Sequence, residues 1–375
     1  MNKSVAIIGT RGYPSYYGGF ETLVRRLAPA LSERGWAVTV YGRPGTVRRH
    51  DDERDPRVLS ITTAGVETKS LSTLSYGLTS AWHASRHRPS VALVVNVANG
   101  FWLPLLKRRG VPTVVNVDGI EWERAKWGPA AKQAFMYGAQ MTARYADHLV
   151  FDSLEIARRW EAGFCRDGQF ISYGGTEPVV SEPDGRFPPH RYALMVARFV
   201  PENTVAEFLC AAERLSQRHH VVIVGSSGYG GVLDDTARRL AQGNERIHWL
   251  GHVSDDTKLF SLWQRAGVYF HGHSVGGTNP ALVQAMACGA PTVARDTVYN
   301  REVLGEAGRY VDPHPDKIAA ALEEVLDDAS VQARMGSAAR TRQQTCYTWE
   351  LVCSRYSEAL DAARVGRRDR ALVPA

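Results

Sequence analysis

Two glycine-rich stretches in this sequence have a composition that suits phosphate binding. In the first, an apolar run ending at Gly9 leads into the string GTRGYPSYYGGFE, where Gly18 and Gly19 open a predicted helix. Glycine lets a ligand approach the backbone, and a helix start offers unpaired N–H groups with partial positive charge. We predict a phosphate-binding loop here; glycines used only for a tight turn are the alternative.

The second stretch is FHGHSVGGTNPALVQAMACGAP, in which Gly276, Gly277 and Thr278 lead into a predicted helix. Asn279 and Pro280 are strong signals for the start of that helix. Its first backbone N–H groups would point at one small volume and stabilise a leaving phosphate there. The string VGSSGYGG, which contains Gly225, repeats the strand-to-glycine arrangement more weakly.

Charged side chains follow a predicted strand in each half of the chain. Asp118 follows the apolar run TVVNV and could accept hydrogen bonds from hydroxyl groups or take a proton from an attacking hydroxyl. Arg198 follows the run YALMVA, and the planar fork of arginine suits a diphosphate. A surface pair between Arg198 and Glu202 is the alternative.

Glu121 and Glu123 lie just beyond Asp118 in the string DGIEWERAKWG. For Glu123, pairing with Arg124 or Lys126 on a solvated turn is favoured over a direct role in chemistry.

Other site chemistries find little support. The glycine spacing is not G-x-G-x-x-G, and the second predicted strand ends at Tyr41 without the acidic residue that binds a dinucleotide ribose. His271 and His273 have no third ligand at the spacing of a zinc protease. The five cysteines form no C-x-x-C pair. We therefore expect neither a nicotinamide cofactor nor a bound metal.

Strand-like and helix-like segments alternate in both halves, which predicts an α/β protein with two doubly wound, Rossmann-like domains. The predicted strands are Val5–Gly9, Ala37–Tyr41, Val58–Thr62, Val91–Val95, Thr113–Val117, His148–Phe151, Tyr192–Ala197, Val221–Val224, Ile247–Leu250, Val268–His271, Pro291–Ala294 and Tyr310–Val311. The predicted domains are 1–173, 174–345, a C-terminal helix over 346–365 that returns to the first domain, and a flexible tail over 366–375. A linker rich in proline and glycine occupies 173–189.

Composition indicates a folded protein of the cytoplasm. The 375 residues are 44% hydrophobic and 22% charged, and no apolar run is long enough to span a bilayer. The net charge is +6, with basic clusters and tryptophans in the first half. These features favour an anionic lipid surface or a phosphorylated acceptor, since no nucleic-acid-binding motif is present. A peripheral contact with the inner membrane face is therefore one expectation.

The strings GTRGYPSYYGGFE, NVDGIEWERAKWG, RFVPEN and HGHSVGGTNP, in this order, resemble glycosyltransferase family 4, and within it the bacterial rhamnosyltransferase-type subgroup. The resemblance covers nearly the whole chain. It implies a GT-B fold of two facing Rossmann-like domains that binds a nucleotide-sugar donor without a metal.

The same resemblance implies roles for individual residues. The catalytic candidates are Asp118, Arg198 and Glu202. The donor site would consist of Gly18, Gly19, Asn203, Gly225, Gly251, His252, Val253, His273, Gly276, Gly277, Thr278, Asn279 and Gln284, with Gly251 to Val253 near the base. The acceptor side would include Glu21, Glu121 and Trp122.

Two departures from the family pattern stand out. Most family members have lysine where this chain has Asn203, and glutamates where it has Gly276 and Gln284. Arg198 would then be the main diphosphate cation, and Gln284 could still bind a ribose hydroxyl. The loss of the first glutamate weakly favours a deoxysugar donor.

The sequence therefore predicts a retaining transferase that moves a 6-deoxyhexose, L-rhamnose or a relative, from a dTDP donor to a hydroxyl group. The acceptor would be a saccharide, a lipid-linked glycan precursor or a natural product. The alternatives are a nucleotide-sugar epimerase of the same fold and a non-catalytic nucleotide-sugar-binding protein.

Overall fold

A computed structural model describes residues 3–16, 18–47, 51, 54–68, 71–124, 127–179 and 185–372, and side chains as far as residue 366. The chain divides into two compact units, Met1–Ser172 with Trp349–Ala375, and Tyr173–Thr348. The first unit is thus built from two separate stretches of sequence. Part of the predicted linker, 180–184, lies outside the described residues.

The first unit contains a parallel sheet of seven strands in the order β3-β2-β1-β4-β5-β6-β7. Its strands are β1 (Lys3–Ile8), β2 (Trp36–Gly42), β3 (Leu59–Thr62), β4 (Val91–Val95), β5 (Thr113–Asn116), β6 (His148–Phe151) and β7 (Gln169–Phe170). Its helices are α1 (Gly19–Glu33), α2 (Ser72–His87), α3 (Leu103–Arg108), α4 (Pro129–Tyr145), α5 (Leu154–Phe164) and, from the end of the chain, α13 (Trp349–Leu372).

The strand order of this sheet reverses between β1 and β4, and such a switch point is where open α/β sheets bind ligands. Gly9 follows β1 at that point with φ of +100°. A Cβ at Gly9 would lie 2.4 Å from the carbonyl oxygen of Val95, so only glycine fits there. The loop that leads to Gly18 therefore starts from a fixed position.

Helix α13 completes the core of the first unit. Tyr356 is buried against the sheet and its hydroxyl accepts a hydrogen bond of 2.6 Å from Asn116 Nδ2 at the end of β5. Leu360 is fully buried, and Asp361 pairs with Lys3 Nζ at 2.7 Å. These contacts connect the last helix to the first strand and to the centre of the sheet.

The second unit contains a parallel sheet of six strands in the order β10-β9-β8-β11-β12-β13, with its switch point between β8 and β11. The strands are β8 (Tyr192–Val196), β9 (His220–Val224), β10 (Ile247–Trp249), β11 (Val268–His271), β12 (Thr292–Arg295) and β13 (Gly308–Val311). The helices are α6 (Val205–Leu215), α7 (Val232–Gly243), α8 (Asp256–Arg265), α9 (Pro280–Ala287), α10 (Val298–Leu304), α11 (Pro315–Leu326) and α12 (Ala329–Cys346).

One apolar cluster lies on each side of this second sheet. Val293 belongs to the cluster that contains Phe208 of α6 and Phe270 of β11. The next residue, Ala294, belongs to the cluster on the other side, with Tyr269 and Met286. This alternation along β12 fixes which way its last side chain points.

The two Rossmann-like sheets confirm the predicted fold class, and each predicted strand is present to within two residues at either end. Strand β7 and the short helix α3 are absent from the sequence prediction because two and six residues carry too little periodicity to detect. Helix α13 continues to Leu372, into the stretch 366–375 predicted as a flexible tail, and residues 373–375 lie outside the described residues.

Candidate functional site

Two loops meet at the switch point of the second sheet. The first follows β8, carries Arg198 with its side chain exposed, and continues into a single helical turn over Pro201–Asn203. The second follows β11. Glu202 O accepts hydrogen bonds from Ser274 N at 2.9 Å and from Ser274 Oγ at 2.8 Å, so the two loops are held side by side.

The side chains of Glu202 and Asn203 are both buried in this region, at 8% and 5% exposure. Asn203 Nδ2 donates to the carbonyl oxygen of Arg198 at 2.9 Å, so its amide shapes the loop. Glu202 Oε1 has no hydrogen-bond partner among the described residues. A buried acceptor without a donor is costly, and a ligand hydroxyl would satisfy it.

The loop after β11 ends at the start of α9, as the sequence predicts. Asn279 Oδ1 accepts a hydrogen bond from Ala281 N at 2.9 Å, and Pro280 occupies the first helical position. Gly276 has a φ of +102°, and no acidic side chain lies in the first turn. The first turn of α9 therefore places no carboxylate of its own at the positive helix end, which makes that end a suitable place for an anion.

Gln284, an expected ribose contact, has another role in the structure. Its Oε1 accepts from Thr176 N at 2.9 Å and its Nε2 donates to Thr176 O at 2.8 Å. The second Nε2 hydrogen is directed at Cys288 Sγ, 3.7 Å away. Since both amide donors are engaged, Gln284 fixes the segment that enters the second unit and needs no ligand.

His271 and His273 stack on each other with ring centroids 4.4 Å apart. His271 is fully buried, and its Nδ1 lies 2.9 Å from the hydroxyl of Tyr269, while Nε2 has no partner in the described residues. Burial, and then the neighbouring His273, hold the pKa of His271 well below its usual range, so the ring is neutral. Within the described ranges, no cluster of three or more His, Cys, Asp or Glu side chains could hold a metal ion.

Gly225 of the predicted donor site follows β9, and the predicted base-side residues Gly251 to Val253 follow β10. Gly225 has a φ of +125°, and a Cβ there would lie 1.8 Å from Ala197 O, so the close approach of two loops accounts for it. Gly251 has a φ of +63° and His252 is exposed. Val253 packs against the apolar cluster on the α9 side of the sheet, so its side chain is engaged in packing.

In the first unit, Gly18 precedes α1 in an extended conformation and provides no side-chain cap. Gly19 is the first residue of the helix. Glu21, expected on the acceptor side, is buried in the first turn, and its Oε1 accepts a hydrogen bond of 3.0 Å from Arg11 N. Glu21 therefore fixes the loop after β1.

The remaining acceptor-side residues follow β5. Asp118 has a left-handed conformation with φ of +62°, and its backbone N–H donates to Asn116 Oδ1 at 2.9 Å. This strained backbone at the carboxyl edge of the sheet sets the direction of the Asp118 side chain, which is partly exposed.

Glu121 and Trp122 contact neighbouring protein groups instead. Glu121 is 3% exposed; its Oε2 accepts from Trp127 Nε1 at 2.7 Å and its Oε1 pairs with Arg124 at 2.7 Å. Trp122 packs edge-on against Trp160 and Phe164 of α5. Both residues thus stabilise the turn after Asp118, which sequence spacing alone does not show.

The pairing proposed for Glu123 also differs. Glu123 forms a 2.6 Å ion pair with Arg159 of α5. Lys126, one of the two partners considered for it, lies outside the described residues.

Two site residues are missing from the sequence prediction. Asn300 of α10 is 3% exposed and its Nδ2 donates to His273 O at 2.9 Å and to Arg295 O at 2.8 Å. Arg295 ends β12 at the same edge as Arg198. Neither belongs to a glycine loop, and only the strand order brings them to the site. The one available signal was an arginine directly after an apolar run.

No helix in the described part of the chain combines the length and apolar character that a membrane span requires.

Two family models match the chain in succession. Residues 18–171 match the glycosyl transferase 4-like domain, and residues 181–342 match glycosyl transferases group 1. Together they account for well over half of the sequence.

Among curated proteins, the chain is 28% identical over 167 residues to O-antigen chain mannosyltransferase B of Escherichia coli, which is 42% of this chain and 42% of that protein. It is also 28% identical over 152 residues to the GDP-mannose-dependent monoacylated alpha-(1-6)-phosphatidylinositol monomannoside mannosyltransferase of Corynebacterium glutamicum, 38% of this chain and 39% of that protein. The chain thus spans less than half the length of these relatives. Both are named mannosyltransferases, so they do not support the rhamnosyltransferase-type subgroup.

Among solved structures, sucrose-phosphate synthase from Thermosynechococcus elongatus superposes with a TM-score of 0.76 and 18% identity, covering 97% of this chain and 100% of that one. This likeness concerns the fold, which is of the GT-B type. The chain therefore belongs to the glycosyltransferases, with a 4-like domain followed by a group 1 domain.

Proposed function

We propose that the chain is a hexosyltransferase that moves a sugar from a nucleotide diphosphate donor to an acceptor hydroxyl, without a metal and with retention at the anomeric carbon. One observation carries the proposal: the exposed Arg198 lies at the switch point of the second sheet, in a loop held against the loop that leads into α9, a helix with no acidic side chain in its first turn. Both groups attract the charge that develops on a departing diphosphate.

The proposed roles follow from this geometry. Arg198 binds the diphosphate through its planar fork, and the Gly276 to Thr278 backbone completes the phosphate site. Glu202 accepts a hydrogen bond from a donor-sugar hydroxyl through the oxygen that has no protein partner. Asp118, at the edge of the other sheet, contacts the acceptor hydroxyl. Because the departing phosphate can take the acceptor proton, no strong protein base is required.

For the donor we propose a dTDP-linked 6-deoxyhexose, on the ground that Gly276 stands where a sugar-binding glutamate is usual in the family. One relative is named a mannosyltransferase and another a GDP-mannose-dependent mannosyltransferase, which makes GDP-mannose the competing donor. UDP-glucose serves as the third candidate in the test.

Thermal unfolding in the presence of dTDP-L-rhamnose, GDP-mannose and UDP-glucose tests the donor. A ligand that binds only the folded chain at one hundred times its Kd stabilises it by about 2.7 kcal/mol. We expect the largest rise in Tm with dTDP-L-rhamnose, and a smaller rise with Arg198→Ala. A largest rise with GDP-mannose would replace the donor assignment, and no rise with any of them would favour a non-catalytic protein.

A membrane-linked acceptor has separate support in the first unit. Leu71, Leu78 and Trp82 are exposed on and just before α2, at 53%, 38% and 51%. The guanidinium of Arg86 lies 5.3 Å from the Trp82 ring centroid. Apolar side chains beside a cation suit the surface of an anionic membrane.

Flotation with anionic vesicles separates the two acceptor classes. We expect the chain to float with the vesicles at low salt. The double variant Leu78→Ser, Trp82→Ser should stay in the bottom fraction of the gradient. Failure of the unaltered chain to float would favour a soluble acceptor such as a natural product.

A further inference from the structure

The donor site as described has an unexplained shortage of positive charge. The family resemblance implies a lysine at the position of Asn203, whose buried amide is engaged with the carbonyl oxygen of Arg198. A nucleotide diphosphate carries at least two negative charges, and Arg198 alone is a single cation. Together with the start of α9, a second cation from another element of the same sheet would balance the charge of the diphosphate.

Arg295 is placed to supply that charge. In the sheet order, β12 follows β11, and β11 follows β8, so Arg295 and Arg198 lie on opposite sides of the loop after β11. Two strand spacings separate their backbones by about 10 Å. Both residues lie at the carboxyl ends of their strands, where open parallel sheets bind ligands.

The side chain of Arg295 points to the face of the sheet covered by α6. Val293, two residues earlier, packs on that face against Phe208, and side chains alternate along a strand. Arg295 Nη1 donates to Thr204 Oγ1 at 3.0 Å, and Thr204 is the residue before α6. The guanidinium thus lies beside the single helical turn that contains Asn203, close to the place of the missing lysine.

Nothing in the described part of the chain neutralises this arginine. The neighbouring carboxylate, Asp296, is engaged by Arg301 in a two-pronged ion pair of 2.6 and 2.7 Å. Glu202, buried in the turn Pro201–Asn203, makes no ion pair with Arg295. The N–H groups at the start of α6 add positive potential beside the guanidinium, and Glu207 in the first turn of that helix offsets part of it. An anion from outside the chain would complete this arrangement.

We propose that Arg295 binds the phosphate of the donor that is attached to the sugar, and so replaces the lysine missing at Asn203. This inference rests on the proposed function. The sugar-side phosphate is assigned because the base-side residues follow β10, at the opposite end of the sheet from β12. Along the sheet, β12 lies farther from β10 than β8 and β11 do. Arg295 at the end of β12 is therefore assigned to the phosphate that is farther from the base.

Isothermal titration of Arg295→Met tests the assignment, because methionine keeps an apolar stem and removes the charge. The ligands are the nucleoside diphosphate among dTDP, GDP and UDP that stabilises the unaltered chain most, and its monophosphate. We expect the diphosphate to bind about tenfold or more weakly and the monophosphate to bind unchanged. Arg309→Met is the matched control, since Arg309 of β13 pairs with the surface residue Glu324.

Three outcomes would overturn the inference. Unchanged diphosphate binding would show that Arg295 does not contact the ligand. Equal loss of diphosphate and monophosphate would show that it only holds Thr204 and the loop in place. No binding of any nucleotide to the unaltered chain would refute the proposed function itself.

Two further variants separate charge from structure. Arg295→Lys keeps the charge and should lose less diphosphate affinity than Arg295→Met, which also covers the case in which Arg295→Met does not fold. Asn203→Lys combined with Arg295→Met places the charge where the family resemblance implies a lysine and should recover part of the lost affinity. No recovery in a double variant whose Tm matches that of Arg295→Met would count against the replacement.

Discussion

Gln284 and Thr176 exchange two hydrogen bonds, of 2.9 and 2.8 Å, across 108 positions of the sequence. The amide of Gln284 hydrogen-bonds both the N–H and the carbonyl oxygen of Thr176, as the backbone of a neighbouring strand would. Because Gln284 is 9% exposed, water cannot replace these bonds easily.

Gln284→Glu should therefore destabilise the chain, although glutamate is the residue that the family resemblance implies at this position. A carboxylate has no N–H to offer Thr176 O, and leaving that buried acceptor unpaired costs about 1 to 3 kcal/mol. Urea unfolding would measure the loss, with the exposed Gln242→Glu in α7 as control. A variant of unchanged stability that binds nucleotide more tightly would restore Gln284 to the ribose site.

Arg198→Ala should reduce sugar transfer by orders of magnitude. Loss of one charge contact to a leaving group in a site that excludes water costs about 2 to 4 kcal/mol. Initial rates at saturating donor would show the loss, and Arg218→Ala, which removes an exposed surface ion pair with Asp327, should transfer at the parental rate. Activity of Arg198→Ala within about threefold of the parent would rule out its role at the diphosphate.

Gly225→Ala should destabilise the second unit more than Gly228→Ala. Both glycines have positive φ, of +125° and +84°, so alanine strains the backbone at either position. Only at Gly225 does the added Cβ meet an atom, Ala197 O at 1.8 Å, whereas Gly228 has open space around it. We expect a difference of about 1 to 3 kcal/mol in the free energy of unfolding. Equal losses would show that the two loops can separate.

The stability of the chain should fall in mild acid because of His271. Its folded-state pKa lies below its ordinary value, mainly because the ring is buried. The unfolded chain therefore takes up a proton as the pH falls through about 6.5, while the folded chain does not. The stabilisation is complete above that pH and declines below it.

His271→Gln removes this titration and keeps a polar partner for Tyr269. Between pH 6.5 and 5.5, the free energy of unfolding should fall by up to about 1.4 kcal/mol more in the parent than in the variant. Urea titrations at the two pH values would measure it. Parallel pH profiles would mean that another group dominates.

Chelation should leave the transfer rate unchanged, since Arg198 and the start of α9 are proposed to stabilise the departing diphosphate. The measurement compares initial rates with and without EDTA. Loss of activity that added Mg²⁺ or Mn²⁺ restores would contradict the metal-free mechanism.

Local sequence signals were sufficient for most of the fold. The strands are short, continuous apolar runs because both faces of a parallel sheet are buried, and such runs are visible in β4 and β9. The start of α9 was predictable since Asn279 and Pro280 act within one turn.

Side-chain roles that depend on distant partners were not predictable in this way. Gln284 sits in the expected motif, yet its partner lies in a segment without a motif of its own. Glu121 and Trp122 follow a strand end as a ligand-binding residue would, but α5 and the nearby turn engage them. Arg295 reaches the site only because β12 lies two strands from β8 in the sheet. The spacing of residues along the sequence does not reveal that strand order.

The return of α13 to the first sheet makes the second unit an insertion within the first. During synthesis on the ribosome, residues 173–348 can complete their own sheet while the first sheet still lacks Tyr356 and Leu360. A fragment ending near residue 172 would leave that sheet with an uncovered apolar face. To obtain the first unit alone, one would join residue 172 to residue 349 through a short linker, whereas the second unit can be excised as one continuous piece.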